Sequence, residues 1–148
     1  RARERLPRYL EALVRRDEAR EAAGRASSIL DLLAAGRTLV RLRGIAPHVV
    51  ARELPVLLPP GDGPDAPVGF VSGAIDLVYR DPATGELVIA DYKTDEVATD
   101  QEVAARVAAY SLQGAAYRRA LREALGLPKE PRFELWFLQA DRIEEVRP

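Results

Sequence analysis

Two carboxylates and one ammonium stand close together in this chain: Asp76, closing the run Gly73-Ala74-Ile75-Asp76, and Asp91 and Lys93, flanking Tyr92. Written as G-x-x-D and D-x-K, the two runs carry the groups that can hold a hard divalent cation beside a phosphate. Carboxylate oxygens suit magnesium, manganese or calcium. The ammonium can orient a water, help take its proton, or offset charge on phosphorus. Of 22 basic residues only Lys93 and Lys129 are lysines, so position 93 keeps a compact point charge where the chain otherwise uses a guanidinium fork. Such a set can hydrolyse a phosphodiester by Lewis-acid activation of water, with a second ion on the leaving oxygen. A hairpin with an acid on each strand and a lysine nearby is also an ordinary solvent-facing salt bridge, and D-x-K alone has little specificity.

Positioning these groups requires a hairpin. Phe70 to Arg80 and Leu87 to Lys93 are rich in strand formers and bracket Asp81-Pro82-Ala83-Thr84-Gly85-Glu86, turn chemistry that predicts an antiparallel pair. Side chains alternate along a strand, so Asp91 and Lys93 share one face and Tyr92 takes the other. Asp76 is expected to share its face with Ala74 and Val78, leaving Val71, Ile75, Leu77 and Tyr79 on the opposite, more apolar one. Matching apolar to apolar sets Ile75 and Leu77 against Ala90 and Tyr92. It brings Asp76 opposite Asp91, with β-carbons roughly 5 Å apart. Facing carboxylates repel unless one holds a proton or a cation lies between them. The two acids, the main-chain carbonyl of Tyr92 and several waters form a ligand set for that cation, and Gly73 leaves room for a backbone or ligand to approach.

The remaining elements follow from periodicity and punctuation. Leu6, Leu10, Leu13 and Val14 keep a helical period from Leu6 to about Ala23, with Gly24 as the expected stop. A second short helix is expected from Ser27 or Ser28 to Ala35, closed by Gly36. After a break near Gly44 to Pro47, Val49 to Leu58 reads as a strand whose Pro55 calls for an edge or a bulge. Residues 59–68 read as a loop. A long helix is predicted from Thr99 or Asp100 to Leu125, ended by Gly126, and strands from Arg132 to Gln139 and from Ile143 to Val146. Around the long helix Arg106, Tyr110, Gln113 and Tyr117 fall within about 60° of one another. That stripe is either the rim of a core face or a surface whose guanidinium, phenols and amide guide a DNA strand. The expected architecture is α/β, a mixed central β-sheet flanked by helices in one domain, with 1–47 helical and 48–148 carrying the sheet, long helix and terminal strands.

Composition narrows the chemistry. At 148 residues, 47% hydrophobic and 30% charged, the chain has one domain's worth of core. No apolar run approaches the roughly 18 residues of a membrane span and no signal pattern opens the chain, so the cytoplasm is the expected compartment. Cysteine is absent and histidine occurs once, which leaves oxygen as the main metal donor. A net charge of −1 is not that of a DNA-coating protein. Residues 1–25 do hold eight Arg against five acids, either a solvated helix face or a nucleic-acid contact. The arginine-rich start without Met suggests a piece of a longer chain.

GAID, ADYKTD and YSLQGAAYRRAL, in that order, resemble the nuclease domain of the RecB family, a branch of the PD-(D/E)xK phosphodiesterases with a restriction-endonuclease-like core. The similarity covers about Glu53 to Leu121 and is strongest to the C-terminal nuclease modules of RecB-like and AddA-like helicase–nucleases, which process DNA double-strand breaks. It implies that Asp76 and Asp91 ligate Mg2+ or Mn2+, that Lys93 is catalytic, and that Gln113 and Tyr117 are the Q-x-x-x-Y element of the site's helix. Arg52-Glu53-Leu54-Pro55 resembles the family's E-x-P strand, which would place Glu53 near the site. The implied activity is an exonuclease-type deoxyribonuclease for repair and recombination. Its implied partners are DNA, the helicase portion of a parent chain and a second helicase–nuclease subunit.

Two features depart from the family. Its metal shell usually includes a histidine on an early helix. His48 lies only five residues before Glu53 and is read as packing, so that ligand is expected upstream of Arg1. The four-cysteine iron–sulfur staple of some relatives is absent. Two other readings stay open: a catalytically inactive nuclease fold kept as a DNA-binding or scaffold module, and an unrelated α/β domain in which Asp76 and Asp91 are not neighbours.

Overall fold

The computed structural model describes residues 16–58 and 71–147. The leucine stripe at Leu6 to Val14, the loop 59–68 and Phe70 lie outside them. Helix α1 (Arg16–Ala35) and α2 (Arg37–Ile45) lead through a short 3-10 turn (Ala46–His48) into strands β1 (Val49–Leu58), β2 (Val71–Arg80) and β3 (Leu87–Lys93). Helix α3 (Asp100–Leu125) then crosses to β4 (Arg132–Phe137) and β5 (Arg142–Glu145). The five strands lie side by side in chain order, antiparallel throughout except β3 with β4, the pair joined by α3. Pro55 is on β1, the edge strand among the described residues, where a residue without an N–H is tolerated.

The termini of α3 are sealed by local chemistry. Thr99 Oγ1 accepts from Glu102 N at 3.2 Å and the Glu102 carboxylate accepts from Thr99 N at 3.0 Å, a reciprocal capping box. At the other end Gly126 takes the left-handed conformation, φ 61°, and the Leu127 N–H returns to Arg122 O.

The sheet is covered on both faces. On one, Ile75, Val78, Ile89, Phe133, Leu135 and Phe137 pack against Val103, Tyr117 and Leu121 of α3. On the other, Leu77, Tyr79, Val88, Ala90 and Trp136 pack against Ile45 of α2. Gly114 sets how near α3 comes, because a β-carbon there would lie 2.5 Å from the fully buried ring of Phe133.

Three expectations are corrected. Gly24 does not stop a helix, and Ser27 and Ser28 do not start one, because α1 runs unbroken from Arg16 to Ala35. One glycine among helix formers weakens a helix by only about 1 kcal/mol. Residues 37–45, in the part expected to be helical but given no element of their own, form α2, which runs past Gly44 to end at Ile45 inside the expected break. Gly36 at its N-cap gives no side-chain cap, and the first turn is closed instead by Asp141, whose carboxylate accepts from Arg37 N and Thr38 N, both at 2.8 Å. Thirdly, Ile75 does not share a face with Leu77 and Tyr79. It packs on the α3 side with Val78, so β2 changes face between them, and β1 does the same between Ala51 and Leu54, which both pack on that side. The break in alternation coincides with Glu53, held at φ 47°.

Asp141→Ala should lower stability by about 1 kcal/mol, the usual worth of an N-cap acid. Partial burial tends to raise the pKa of Asp141, but the Thr38 and Arg37 N–H groups outweigh it and hold the carboxyl below its ordinary 3.8. A carboxyl depressed by folding stabilises above the unfolded value and loses that contribution as pH falls through the folded one. The gap between parent and variant in urea melts should therefore be full at pH 6 and close below pH 3.8.

Candidate active site

Pairing of β2 with β3 runs from Arg80↔Leu87 to Leu77↔Ala90 and then stops. One step further the register sets Asp76 opposite Asp91, as the hairpin pattern predicts. The two strands part here. The Asp76 carboxylate takes the place of a ladder acceptor, its Oδ2 receiving the Tyr92 N–H at 2.6 Å. In a strand the N–H and C=O of one residue leave by the same edge, so the Tyr92 carbonyl turns toward the gap that Asp76 bridges. Lys93 O turns the other way and accepts from Leu138 N at 2.9 Å.

Asp91 is buried, and Lys93 lies beside it on the same face with Nζ 2.5 Å from Asp91 Oδ2. That contact is an ion pair without hydrogen-bond geometry, so Oδ2 is a buried carboxylate oxygen with no hydrogen-bond partner. Burial pushes the Asp91 carboxyl up, the Lys93 ammonium pulls it back, and the charge of Asp76 adds to the upward push. The charge of Asp76 thus reaches Asp91 across the strand gap.

Helix α3 closes the site from above. Gln113 Oε1 accepts from Lys93 Nζ at 3.1 Å, Gln113 Nε2 donates to Tyr117 Oη at 3.1 Å, and Tyr117 Oη donates to Ala74 O at 3.0 Å. The relay ties the ammonium to the backbone of β2. Gly73 makes it possible: a β-carbon there would lie 3.0 Å from Tyr117 Oη, so the group that approaches this glycine is the phenol of α3. Arg106 Nε lies 3.2 Å from Asp95 Oδ1, with its side chain half exposed. The Tyr110 hydroxyl donates to Asp95, and its ring lies against Lys93. All four members of the α3 stripe therefore border the site. Asp95 is a site residue that sequence reading does not single out; its only signal is its place two positions past Lys93.

Gly73→Ala should leave the melting temperature nearly unchanged, since alanine is the better strand residue. Displacing Tyr117 and with it Gln113 should loosen the hold on the Lys93 ammonium, and any hydrolysis that depends on that ammonium should slow by roughly tenfold to a hundredfold. Paired melts and initial rates check this.

A family profile described as the PD-(D/E)XK nuclease superfamily matches residues 1–147. The chain belongs to the PD-(D/E)XK nuclease superfamily. No curated protein matches the chain. The five-stranded mixed sheet with flanking helices is consistent with that superfamily's fold. Members are typically nucleases and generally use divalent metal ions.

The donors present suit such an ion. Two adjacent carboxylates, one of them buried, and a main-chain carbonyl turned to the same gap form an oxygen-only set, the kind a hard cation accepts while keeping several waters. Among the described residues no three acids or histidines converge. Glu53 stands opposite Asp76 in the β1 register but is exposed. Its charge, after burial and Asp76, acts to raise the pKa of the Tyr92 phenol. His48, expected to pack, is instead exposed in the 3-10 turn that precedes β1. No described helix is long and apolar enough to cross a membrane.

Proposed function

We propose that this PD-(D/E)XK domain hydrolyses DNA phosphodiesters with a divalent ion, Mg2+ or Mn2+, held by Asp76, Asp91 and the Tyr92 carbonyl. The observation that carries this reading is the gathering of both carboxylates and the Lys93 ammonium where β2 and β3 separate. When bound, the ion supplies Lewis acidity to a water and to the scissile phosphate. Lys93, held by Gln113, orients the attacking water and offsets charge on phosphate oxygens. The relay through Tyr117 to Ala74 keeps Lys93 in register with Asp76. Arg106, half exposed on the same helix face, attracts the strand by its charge, with Gln113 and Tyr117 as the wall along which it runs. Glu53 is the additional acid nearest Asp76 in register. By its resemblance to RecB-like and AddA-like modules, the domain acts as an exonuclease in double-strand break repair, attached to an ATP-dependent helicase.

Titrating Mg2+ or Mn2+ while following thermal unfolding tests the metal assignment. At 100 times its dissociation constant an ion stabilises by about 2.7 kcal/mol, which raises the melting temperature of a domain this size by about 8 °C. Asp91→Ala and Asp76→Ala should each abolish the rise and the cleavage of linear DNA. An unchanged melt at millimolar ion, together with DNA binding but no cleavage, would instead identify an inactive scaffold module.

A further inference from the structure

Three groups surround the Lys93 ammonium. Two are the Asp91 carboxylate and the Gln113 amide oxygen; the third is the face of Tyr110, whose ring centroid lies 3.8 Å from Nζ. With the lysine side chain only 12% exposed, water competes little for the charge, the condition under which a cation–π contact is strongest. Tyr110 is fixed in turn. Its hydroxyl donates to Asp95, 3.0 Å from Oδ2 and 3.3 Å from Oδ1, and Arg106 Nε neutralises that carboxylate at 3.2 Å. Tyr110 sits on the helix stripe expected to touch DNA, yet its hydroxyl is spent on Asp95 and its ring on Lys93.

We propose that Asp95 and Tyr110 form a clamp that holds the Lys93 ammonium over the carboxylate pair, so that Tyr110 is a positioning residue for the reaction rather than a strand contact. The inference rests on the reading of Lys93 as the working cation of the nuclease site. A lysine has four rotatable side-chain bonds, and Asp91 and Gln113 leave one side of the ammonium uncovered. The aromatic face closes that side without offering an acceptor that would compete with a phosphate or a water. Burial, and the neighbouring Asp95 charge after it, push the Tyr110 phenol up, which keeps its hydroxyl a donor to Asp95.

The sequence supplies a clean probe that needs neither metal nor activity. Lys93 and Lys129 are the only lysines, and Lys129 is 71% exposed. Protein labelled with 13C at the lysine ε-carbon therefore gives two ε-methylene signals in metal-free buffer, assigned by the loss of one in Lys129→Arg. The Lys93 signal should be displaced upfield by the Tyr110 ring current. The displacement should shrink in both Tyr110→Phe and Asp95→Ala, which break the same hydrogen bond, and vanish in Tyr110→Leu. With Mg2+ and linear duplex DNA, Tyr110→Leu should lower kcat about tenfold at unchanged KM, whereas Tyr110→Phe stays within about threefold of the parent, the range that cation–π energies allow. Coincident lysine signals in the parent would overturn the clamp. So would a raised KM at constant kcat in Tyr110→Leu, the signature of a strand contact. If Lys93→Ala still cuts DNA, the nuclease assignment of Lys93 fails, while the ring-current displacement still decides whether the clamp exists.

Discussion

Replacing Lys93 by alanine should reduce DNA cleavage by about a thousandfold or more while the protein still folds. General acid–base and water-orienting groups contribute about a hundredfold to ten-thousandfold, and Lys93 is the cation that the Asp91 carboxylate and Gln113 jointly hold. Its side chain lies at the last residue of β3, and removing it leaves the buried Asp91 carboxylate without its partner, a cost that protonation of Asp91 holds to about 1–3 kcal/mol. Asp91→Asn should be equally inactive, because it keeps the shape and removes the charge. Lys93→Arg should not rescue: a guanidinium is longer and planar, and cannot place one compact charge between Asp91, Gln113 and the Tyr110 ring. Initial rates on linear DNA with Mg2+, alongside circular dichroism melts, measure both sides. Cleavage at the parent rate by the alanine and asparagine variants would remove Lys93 and Asp91 from the reaction.

The largest loss of stability should follow Glu134→Ala. Glu134 is 3% exposed on the α2 side of β4, and its Oε2 accepts from Tyr79 Oη at 2.9 Å and from Trp136 Nε1 at 3.0 Å. Arg132 and Arg41 approach Oε1 at 3.5 and 3.7 Å. Those guanidinium side chains are 30% and 39% exposed and can turn to water, so they do not decide the outcome. The two neutral donors cannot. Tyr79 and Trp136 are both 0% exposed, and each buried donor left without an acceptor costs about 1–3 kcal/mol. A total of about 3 kcal/mol, or about 10 °C in melting temperature, is expected in thermal or urea unfolding. Glu134→Gln, which keeps an acceptor, should recover most of it. Burial first, and the Glu134 charge next, push the Tyr79 hydroxyl far above its usual range, so the phenol stays protonated and a donor well into the alkaline range. Trp136 packs edge-on against Tyr92 at 5.8 Å between centroids, so the same substitution should also loosen the backbone that Asp76 grips.

Much of this was legible in the residues. The β2–β3 turn, the shared face of Asp91 and Lys93, and both ends of α3 follow from turn residues, from alternation and from Thr99 and Gly126. The α3 stripe was also visible, because 100° per residue brings Arg106, Tyr110, Gln113 and Tyr117 to one side whatever the tertiary structure. What was hidden depends on contacts distant in sequence. Alternation fails at Glu53 because a non-glycine residue takes φ 47°, and no local signal distinguishes it from a neighbour in extended conformation. That reversal sends Ile75 to the α3 side. Helix α2 was expected only as part of a helical stretch and not delimited, although Leu39, Leu42 and Ile45 are spaced at three residues, because its capping carboxylate lies 104 positions beyond Arg37. Asp95 gave no motif; its role emerges only once Tyr110 and Arg106 are folded onto it.

That distant cap governs the order of assembly. A chain leaving the ribosome presents residues 37–45 long before Asp141, so α2 at first has open N–H groups at its start and no β4 beneath it. The roof over Tyr92 and Trp136 can close only when the β4–β5 turn arrives. Because closing so long a loop comes before its reward, the early helical segment and the final hairpin should gain protection from hydrogen exchange in one late step. Shortening the chain at Phe137 should unravel α2, although it precedes every strand in the sequence.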